Sequence, residues 1–315
     1  MTTSLFVVET AGLTKRFGDR TVVRDVELQV PRGSAFGYLG PNGAGKTTLI
    51  RMLLGLTGAT AGSMRLLGLP VPDRRAEALS RVGAIVEEPR FHAFLSGREN
   101  LAIVAAARGP EAATRIDGAL DRVGLTRRAD DRVRTYSLGM RQRLGIARCL
   151  LAEPELLILD EPMNGLDPAG IEEFRFLIRS LVAEGRTVML SSHLLDEVEK
   201  TCDAVAIVDR GRIVVQGTIA ELTRNGPPTL VIGSADNARA GMLLQVHKAV
   251  GDVAAEDGIL RVRLHERDDR AVHEAVADIN RRLVEAGVPV YRLEPEHASL
   301  EQRFLEITSR LEEAA

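Results

Sequence analysis

The run Gly40-Pro41-Asn42-Gly43-Ala44-Gly45-Lys46-Thr47-Thr48 has the composition and spacing of a phosphate cradle, G-x-x-x-x-G-K-[ST]. Glycines let the backbone curl inward, so that successive N–H groups aim at one anion. A helix starting at the end of such a loop adds its positive N-terminus. The Lys46 ammonium would bridge the β- and γ-phosphates of a nucleoside triphosphate, and the Thr47 hydroxyl would ligate Mg2+. Lysine occurs only at positions 15, 46, 200 and 248, so its place inside a glycine turn is informative.

A second group of polar residues follows an apolar strand. Leu156–Leu159 leads straight into Asp160 and Glu161. In a parallel sheet, ligands gather at the C-terminal ends of strands, the same edge at which a phosphate loop sits. Asp160 would hold Mg2+ directly or through water, and Glu161 would polarise the attacking water as general base. His193 stands after another apolar run, residues 187–191. A lone histidine there is either structural or, at the ligand edge, a contact for phosphate and water, because a neutral ring can donate and accept at once.

These groups need a scaffold that brings three loops to one edge. The chain supplies alternating strand-like and helix-like segments. Val26, Leu28 and Val30 alternate with Asp25, Glu27 and Gln29, which predicts a half-exposed strand. Ala35–Leu39, residues 82–86, Leu156–Leu159 and residues 187–191 read as further strands, with a helix over 46–54. Ser96 with Glu99 forms a capping box, and Asp167 before Pro168 an N-cap with proline in the first turn. The expectation is an α/β fold, a largely parallel sheet flanked by helices, with a helical insertion at about 90–152.

Thr218 with Glu221 caps a last helix before Asn225-Gly226-Pro227-Pro228 breaks the chain. Beyond the break, strands are expected at 229–232, Ile259–Leu264 and 288–293, and helices at 238–248 and 269–286. A closing helix begins at Ser299 with Gln302 and carries Leu300, Phe304 and Ile307 on one face. The domains are therefore expected at 1–226 and 227–315, the second a small α+β unit of split βαβ type. No internal repeat is visible, so one nucleotide domain is expected.

Bulk properties are those of a folded protein: 45% hydrophobic and 27% charged residues among 315, with a net charge of −3. That balance gives no global attraction to nucleic acid or anionic lipid, and the tail has more acids than bases. No nucleic-acid partner is expected. No apolar stretch reaches the roughly 18 residues that cross a bilayer, and the first ten residues lack the pattern of a secretory signal. Cys149 and Cys202 sit among apolar neighbours and read as buried thiols in a reducing cytoplasm.

Taken in order, these motifs resemble the ATP-binding-cassette family over residues 7 to about 222. Phe17 stands where the family stacks an aromatic on adenine. The phosphate loop follows, then Val82-Gly83-Ala84-Ile85-Val86-Glu87 as the strand into the family's Q-loop. Tyr136-Ser137-Leu138-Gly139-Met140-Arg141-Gln142-Arg143 is similar to the signature run. Asp160-Glu161-Pro162 with Asn164-Gly165-Leu166-Asp167 resembles Walker B and the D-loop, and His193 the switch histidine.

Several positions depart from the common pattern. L-S-G-G-Q reads Tyr-Ser-Leu-Gly-Met, Glu87 replaces glutamine, and Phe17 replaces tyrosine. A carboxylate at 87 can ligate Mg2+ or order water. The variants and the tail resemble the subgroup of exporter ATPases that includes peptide-antibiotic and anthracycline self-resistance transporters.

The resemblance implies ATP hydrolysis with ATP and Mg2+ as cofactors. Thr47, Glu87 and Asp160 would serve the metal, and Glu161 and His193 the hydrolytic step. It also implies two cassettes paired head to tail, with Ser137 and Gly139 of one sealing the γ-phosphate held by the other, a C2 arrangement. The paired cassette would be a second copy or a related chain. A separate integral membrane permease would supply the missing transmembrane helices, which puts this chain peripherally at the cytoplasmic face of the membrane. Phe91, His92 and Phe94 cluster after Glu87 in a chain with 3% aromatics. They are either a docking surface for a permease helix or local packing against the helical insertion. A soluble cassette ATPase acting on ribosomes or DNA is the alternative function, and a small-molecule kinase offers no use for the signature run.

Overall fold

The computed structural model describes residues 4–224, 228–256, 258–265, 268–296, 299–301 and 304. Two compact units part between Gly217 and Thr218. The boundary read from the sequence falls at 226, and residues 225–227 lie outside the described residues.

In the first unit the strands are β1 (Phe6–Phe17), β2 (Arg20–Val26), β3 (Gln29–Pro31), β4 (Ala35–Leu39), β5 (Ala61–Leu66), β6 (Leu69–Val71), β7 (Val82–Ile85), β8 (Leu156–Leu159), β9 (Thr187–Ser192), β10 (Ala204–Asp209) and β11 (Arg212–Thr218). The helices are α1 (Lys46–Leu53), α2 (Arg75–Ser80), α3 (Gly97–Arg108), α4 (Pro110–Thr114), α5 (Ile116–Arg122), α6 (Leu138–Leu150), α7 (Pro168–Ala183) and α8 (Leu195–Thr201).

One sheet runs β11-β10-β4-β9-β8-β7, and from β10 to β7 every neighbouring pair is parallel. Its central strands β4, β8 and β9 are wholly buried, which explains the apolar runs of β4 and β8 and of Val188–Leu190 in β9. Helix α1 puts Leu49, Ile50, Met52 and Leu53 into the core with no exposure, each worth about 1.5–3 kcal/mol on burial.

The starts of β4, β7 and β8 are tied together. Glu155, just before β8, accepts from Arg32 Nη1 at 2.9 Å and Arg81 Nε at 2.6 Å. Its backbone carbonyl accepts from Thr187 N at 2.9 Å. Burial pushes the Glu155 carboxyl up, but hydrogen bonds and charge from Arg81 and Arg32 outweigh it and hold the group below its ordinary value.

A second sheet, β2-β1-β5-β6 with β3 on β1, is antiparallel. Of this sheet the sequence predicts only the β2–β3 region, as one strand. Val26, Leu28 and Val30 are buried as the alternation requires, but Val26 ends β2, Leu28 lies in the link and Val30 belongs to β3, with Asp25 in the left-handed region at φ 49. The long β1 escaped because register shifts interrupt its pairing and blur the two-residue period. The helical insertion consists of α3 to α6, and Ser96 closes the expected capping box on α3. Cys149 and Cys202 are buried, and burial pushes the Cys149 thiol up to about 11.

The second unit begins with α9 (Ile219–Arg224), capped reciprocally by Thr218 and Glu221. It continues with β12 (Thr229–Ser234), α10 (Asn237–Gln245), β13 (Val250–Glu256), β14 (Ile259–Leu264), α11 (Asp269–Glu285) and β15 (Val290–Glu296). The antiparallel sheet β13-β14-β12-β15 places β14 between β12 and β13, a split βαβ. Leu244, Ile279 and Leu283 on the helices meet Leu230, Ile232 and Val262 on the sheet. The edge strand β13, Val-Gly-Asp-Val-Ala-Ala-Glu, was not anticipated, because small and acidic residues carry little strand signal. Of the expected closing helix, Leu300 is buried, while Gln302 and Ile307 lie outside the described residues.

Candidate functional site

Register places the chemistry. In the parallel order β4-β9-β8, Leu39 lies beside Ser192 and Leu159 beside Leu190. The phosphate loop, Asp160–Glu161 and His193 therefore leave three adjacent strands at one edge, as required for a shared site. The loop holds its shape through Gly43 (φ 81) and Gly45 (φ 98), a backbone region open to glycine. At Gly45 a Cβ would also lie 2.6 Å from the Val22 carbonyl oxygen.

Lys46 is the first residue of α1 and is 6% exposed. Its ammonium donates to the carbonyls of Gly40 at 2.6 Å and Pro41 at 3.2 Å, and lies 3.1 Å from Glu161 Oε1. His193 Nδ1 is 2.9 Å from Glu161 Oε2. A ring that gives its Nδ1 proton to the carboxylate keeps Nε2 as an acceptor when neutral and a donor when charged. Glu161 itself has φ 47. Its amide donates to Ser191 Oγ at 3.0 Å, and that hydroxyl donates to Asp160 Oδ1 at 2.6 Å. One buried serine thus fixes both acids.

A cleft of about 500 Å³ is lined by Asn42, Gly43, Gly45, Lys46, Thr47, Thr48, Glu161 and His193 from the sequence-derived set. Gly40 and Pro41 stand behind it through their carbonyls, and Asp160 through Ser191. Arg20, Val22 and Asn164 also line the cleft; Asn164 is named in the sequence only within the D-loop run, and Arg20, Val22 and Ser191 are not among the expected site residues. Ser191 had a signal, a hydroxyl within a buried strand two residues before His193. Arg20 and Val22 had none, because they arrive from the antiparallel sheet.

The cleft fits a nucleotide's phosphates: a buried ammonium, two hydroxyls and a helix N-terminus converge on it. Among the described residues, no group of three or more His, Cys, Asp or Glu side chains could hold a metal alone. Mg2+ held by one or two protein oxygens plus phosphates and water is compatible with Thr47 and Asp160.

The other expected residues lie outside the cleft lining. Glu87, at φ 62, is ion-paired with Arg51 on α1. Phe17 is 52% exposed, with Lys15 Nζ 4.8 Å from its ring centroid. Ser137 caps α6, its hydroxyl accepting from Met140 N at 3.2 Å, with Gly139 in the first turn. Phe91, His92, Ile103 and Arg148 line a separate groove of about 260 Å³. Asn100 holds its rim by accepting from His92 N at 2.8 Å and donating to the Ser96 carbonyl at 2.8 Å. Phe94 is 75% exposed.

Comparison with known proteins decides the family. The model for the ABC transporter domain matches residues 23–164. The bacitracin transport ATP-binding protein BcrA of Enterococcus faecalis is 38% identical over 300 residues, 95% of each chain. BcrA of Bacillus licheniformis is 40% identical over 303 residues, 96% of this chain and 97% of the relative.

The chain belongs to the ABC transporter family.

Among solved structures, cbiO1 from Clostridium perfringens, part of the ABC transporter complex cbiONQ, superposes with a TM-score of 0.65. It has 27% identity and covers 70% of this chain and 92% of that one. This ABC protein is an ATP-binding ATPase whose hydrolysis is coupled to transport. No helix among its described residues is long and apolar enough to cross a membrane.

Proposed function

We propose that the chain is the ATP-hydrolysing subunit of an exporter for peptide or drug-like antibiotics, working as a pair of cassettes beneath a separate membrane-spanning permease. The observation that carries the hydrolytic part is the Glu161 carboxylate, held between Lys46 Nζ at 3.1 Å and His193 Nδ1 at 2.9 Å at the mouth of the phosphate cleft. Glu161 orients and deprotonates the attacking water. Lys46 and the loop amides of 40–48 hold the β- and γ-phosphates, and Thr48 adds a hydroxyl. Thr47 and Asp160 would hold Mg2+, which would supply positive charge beside the phosphates. Glu87, the other expected metal ligand, is ion-paired with Arg51. His193 positions water and γ-phosphate, and Phe17 stacks on the base. Ser137 and Gly139 close the site of the paired cassette. Catalysis rests on positioning and fixed charge.

The antibiotic reading is supported by likeness to two bacitracin transport proteins over at least 95% of this chain. That likeness runs through the tail and supports a nucleotide-binding domain followed by a second domain, divided at 226 in the sequence reading and between Gly217 and Thr218 in the fold. In this reading the groove at Phe91 and His92 receives a cytoplasmic helix of the permease, and the chain works at the cytoplasmic face of the membrane.

Glu161→Gln tests the hydrolytic assignment. ATP affinity is retained, kcat falls by about 10²–10⁴-fold, and the ATP-bound pair lives longer in sedimentation. Wild-type turnover by this variant removes Glu161 from its role.

A further inference from the structure

We propose that the cavity between the helical insertion and α7 is a binding site for a small amphipathic cation, a molecule with an apolar ring system and an ammonium group. The cavity measures about 700 Å³, a size that holds drug-like ligands. It shares no lining residue with the phosphate cleft, so the inference stands apart from the hydrolytic reading. One wall is a single face of α7. Ala169, Glu172, Glu173, Phe176 and Ser180 line the cavity at spacings of three and four residues, which puts them on one side of the helix. The stripe that α7 turns to the core, with Phe174, Ile178 and Leu181, is buried, whereas Phe176 is 77% exposed. The core makes no use of that ring.

The facing wall is the end of α5 and the second turn of α6. Helix α5 stops in a glycine-terminated turn: Leu125 N donates to the Leu120 carbonyl at 2.8 Å and Gly124 N to the Asp121 carbonyl at 2.9 Å, with Gly124 at φ 66. That turn buries Val123, whose carbonyl accepts from Arg143 Nη1 at 3.3 Å. Two ion pairs span the walls. Arg122 pairs with Glu184, just past α7, and Arg143 Nη2 lies 3.4 Å from Glu173 Oε2. The walls are thus fixed by the protein's own contacts, a pre-formed site that spares the ligand an ordering cost.

The same pairs set the sign of the ligand. Both guanidiniums in the lining, Arg122 and Arg143, are taken by Glu184 and Glu173. Asp121 Oδ1 accepts from the neutral Thr126 hydroxyl at 3.2 Å. Glu172 is exposed and has no ion-pair partner among the described residues. Asp121 and Glu172 therefore keep their negative charge beside the apolar surface of Val123, Phe176 and Leu177. An anion entering here is repelled and finds no free cation. A neutral apolar molecule leaves the carboxylates unanswered. An ammonium on a ring system meets both demands, with its charge near the acids and its ring against Phe176.

The test is binding of naphthylethylammonium to the full chain, followed by the fluorescence anisotropy of the naphthalene ring; the chain has no tryptophan to interfere. A saturating ATP analogue with Mg2+ keeps the phosphate cleft occupied. Saturable binding is expected, with shifts of the Val123 and Leu177 methyl resonances. Naphthylacetate, the same ring with a carboxylate, should bind about tenfold more weakly. Glu172→Gln should weaken the ammonium about 2–5-fold and leave the neutral naphthylethanol unchanged. Phe176→Ala should weaken both about 2–10-fold. Both altered side chains are exposed, and melting temperature checks that the fold is kept. Equal affinity for the two charged probes, or wild-type affinity in both variants, overturns the proposal. So does binding that vanishes when the ATP analogue is present, because the probe then occupies the phosphate cleft, and so does the lack of any saturable binding.

Discussion

Ser191→Ala is the sharpest test of how the acids are held. The hydroxyl has no exposure to solvent, accepts from Glu161 N at 3.0 Å and donates to Asp160 Oδ1 at 2.6 Å. Alanine removes one hydrogen bond to a carboxylate, worth about 1.5–3 kcal/mol, and one to an amide, worth about 1 kcal/mol. The loss of about 3 kcal/mol should lower the melting temperature by about 6–12 °C for a unit of this size. The functional effect is larger than the stability effect implies. Glu161 holds a left-handed backbone, φ 47, which costs a non-glycine residue about 1–2 kcal/mol, and the Ser191 bond fixes that conformation. Without it the carboxylate drifts, and a drift of about 1 Å costs on the order of 10²-fold in kcat. The assay is steady-state phosphate release beside nucleotide binding, measured well below the melting temperature. Nucleotide affinity should stay near wild type, because Lys46 and the loop amides are untouched, and Ser191→Thr should recover much of the rate. A variant that melts early yet turns over at the wild-type rate refutes the idea that this hydroxyl positions Glu161.

Three further outcomes follow from the same geometry. Lys46→Ala should weaken ATP binding about 10–100-fold, read by titration with a fluorescent analogue; an unchanged dissociation constant contradicts the ammonium's role. Phe94→Ala, exposed beside the groove at Phe91 and His92, should leave ATPase activity of the isolated chain intact and reduce transport in the assembled complex; equal transport at equal expression counts against docking there. Glu155→Gln should melt below wild type at pH 7. The folded carboxyl is held below its ordinary value of 4.5, so its stabilisation is present above that value and fades as pH falls through the folded one. The two melting curves should converge in acid, and a gap that persists there argues that Arg32 and Arg81 are not its source.

The parts legible in the sequence are those governed by local chemistry. Glycine spacing with Lys46 marked the phosphate loop, and an apolar strand ending in two acids marked Asp160 and Glu161, because each pattern is written in consecutive residues. Capping at Ser96, Asp167 and Thr218 was readable for the same reason. Contributions from afar were not. Arg20 and Val22 reach the cleft from the antiparallel sheet, whose register shifts hide its period. Glu87 could be read as a possible ligand from its position alone, but only the structure shows its ion pair with Arg51.

The Glu155 clamp gives the central sheet two unlike ends. Where β4, β7 and β8 begin, two arginines and a carboxylate lash the strands together; where β4, β8 and β9 finish, the reactive groups emerge. Mutational drift at the lashed end should be tolerated as long as the strands stay aligned, with its consequences felt in heat resistance. Change in the side chains that face the cleft at the far end should alter turnover while the protein melts much as before, with buried supports such as Ser191 excepted because they move both. A variant collection sorted by those two measurements would map onto opposite rims of one sheet.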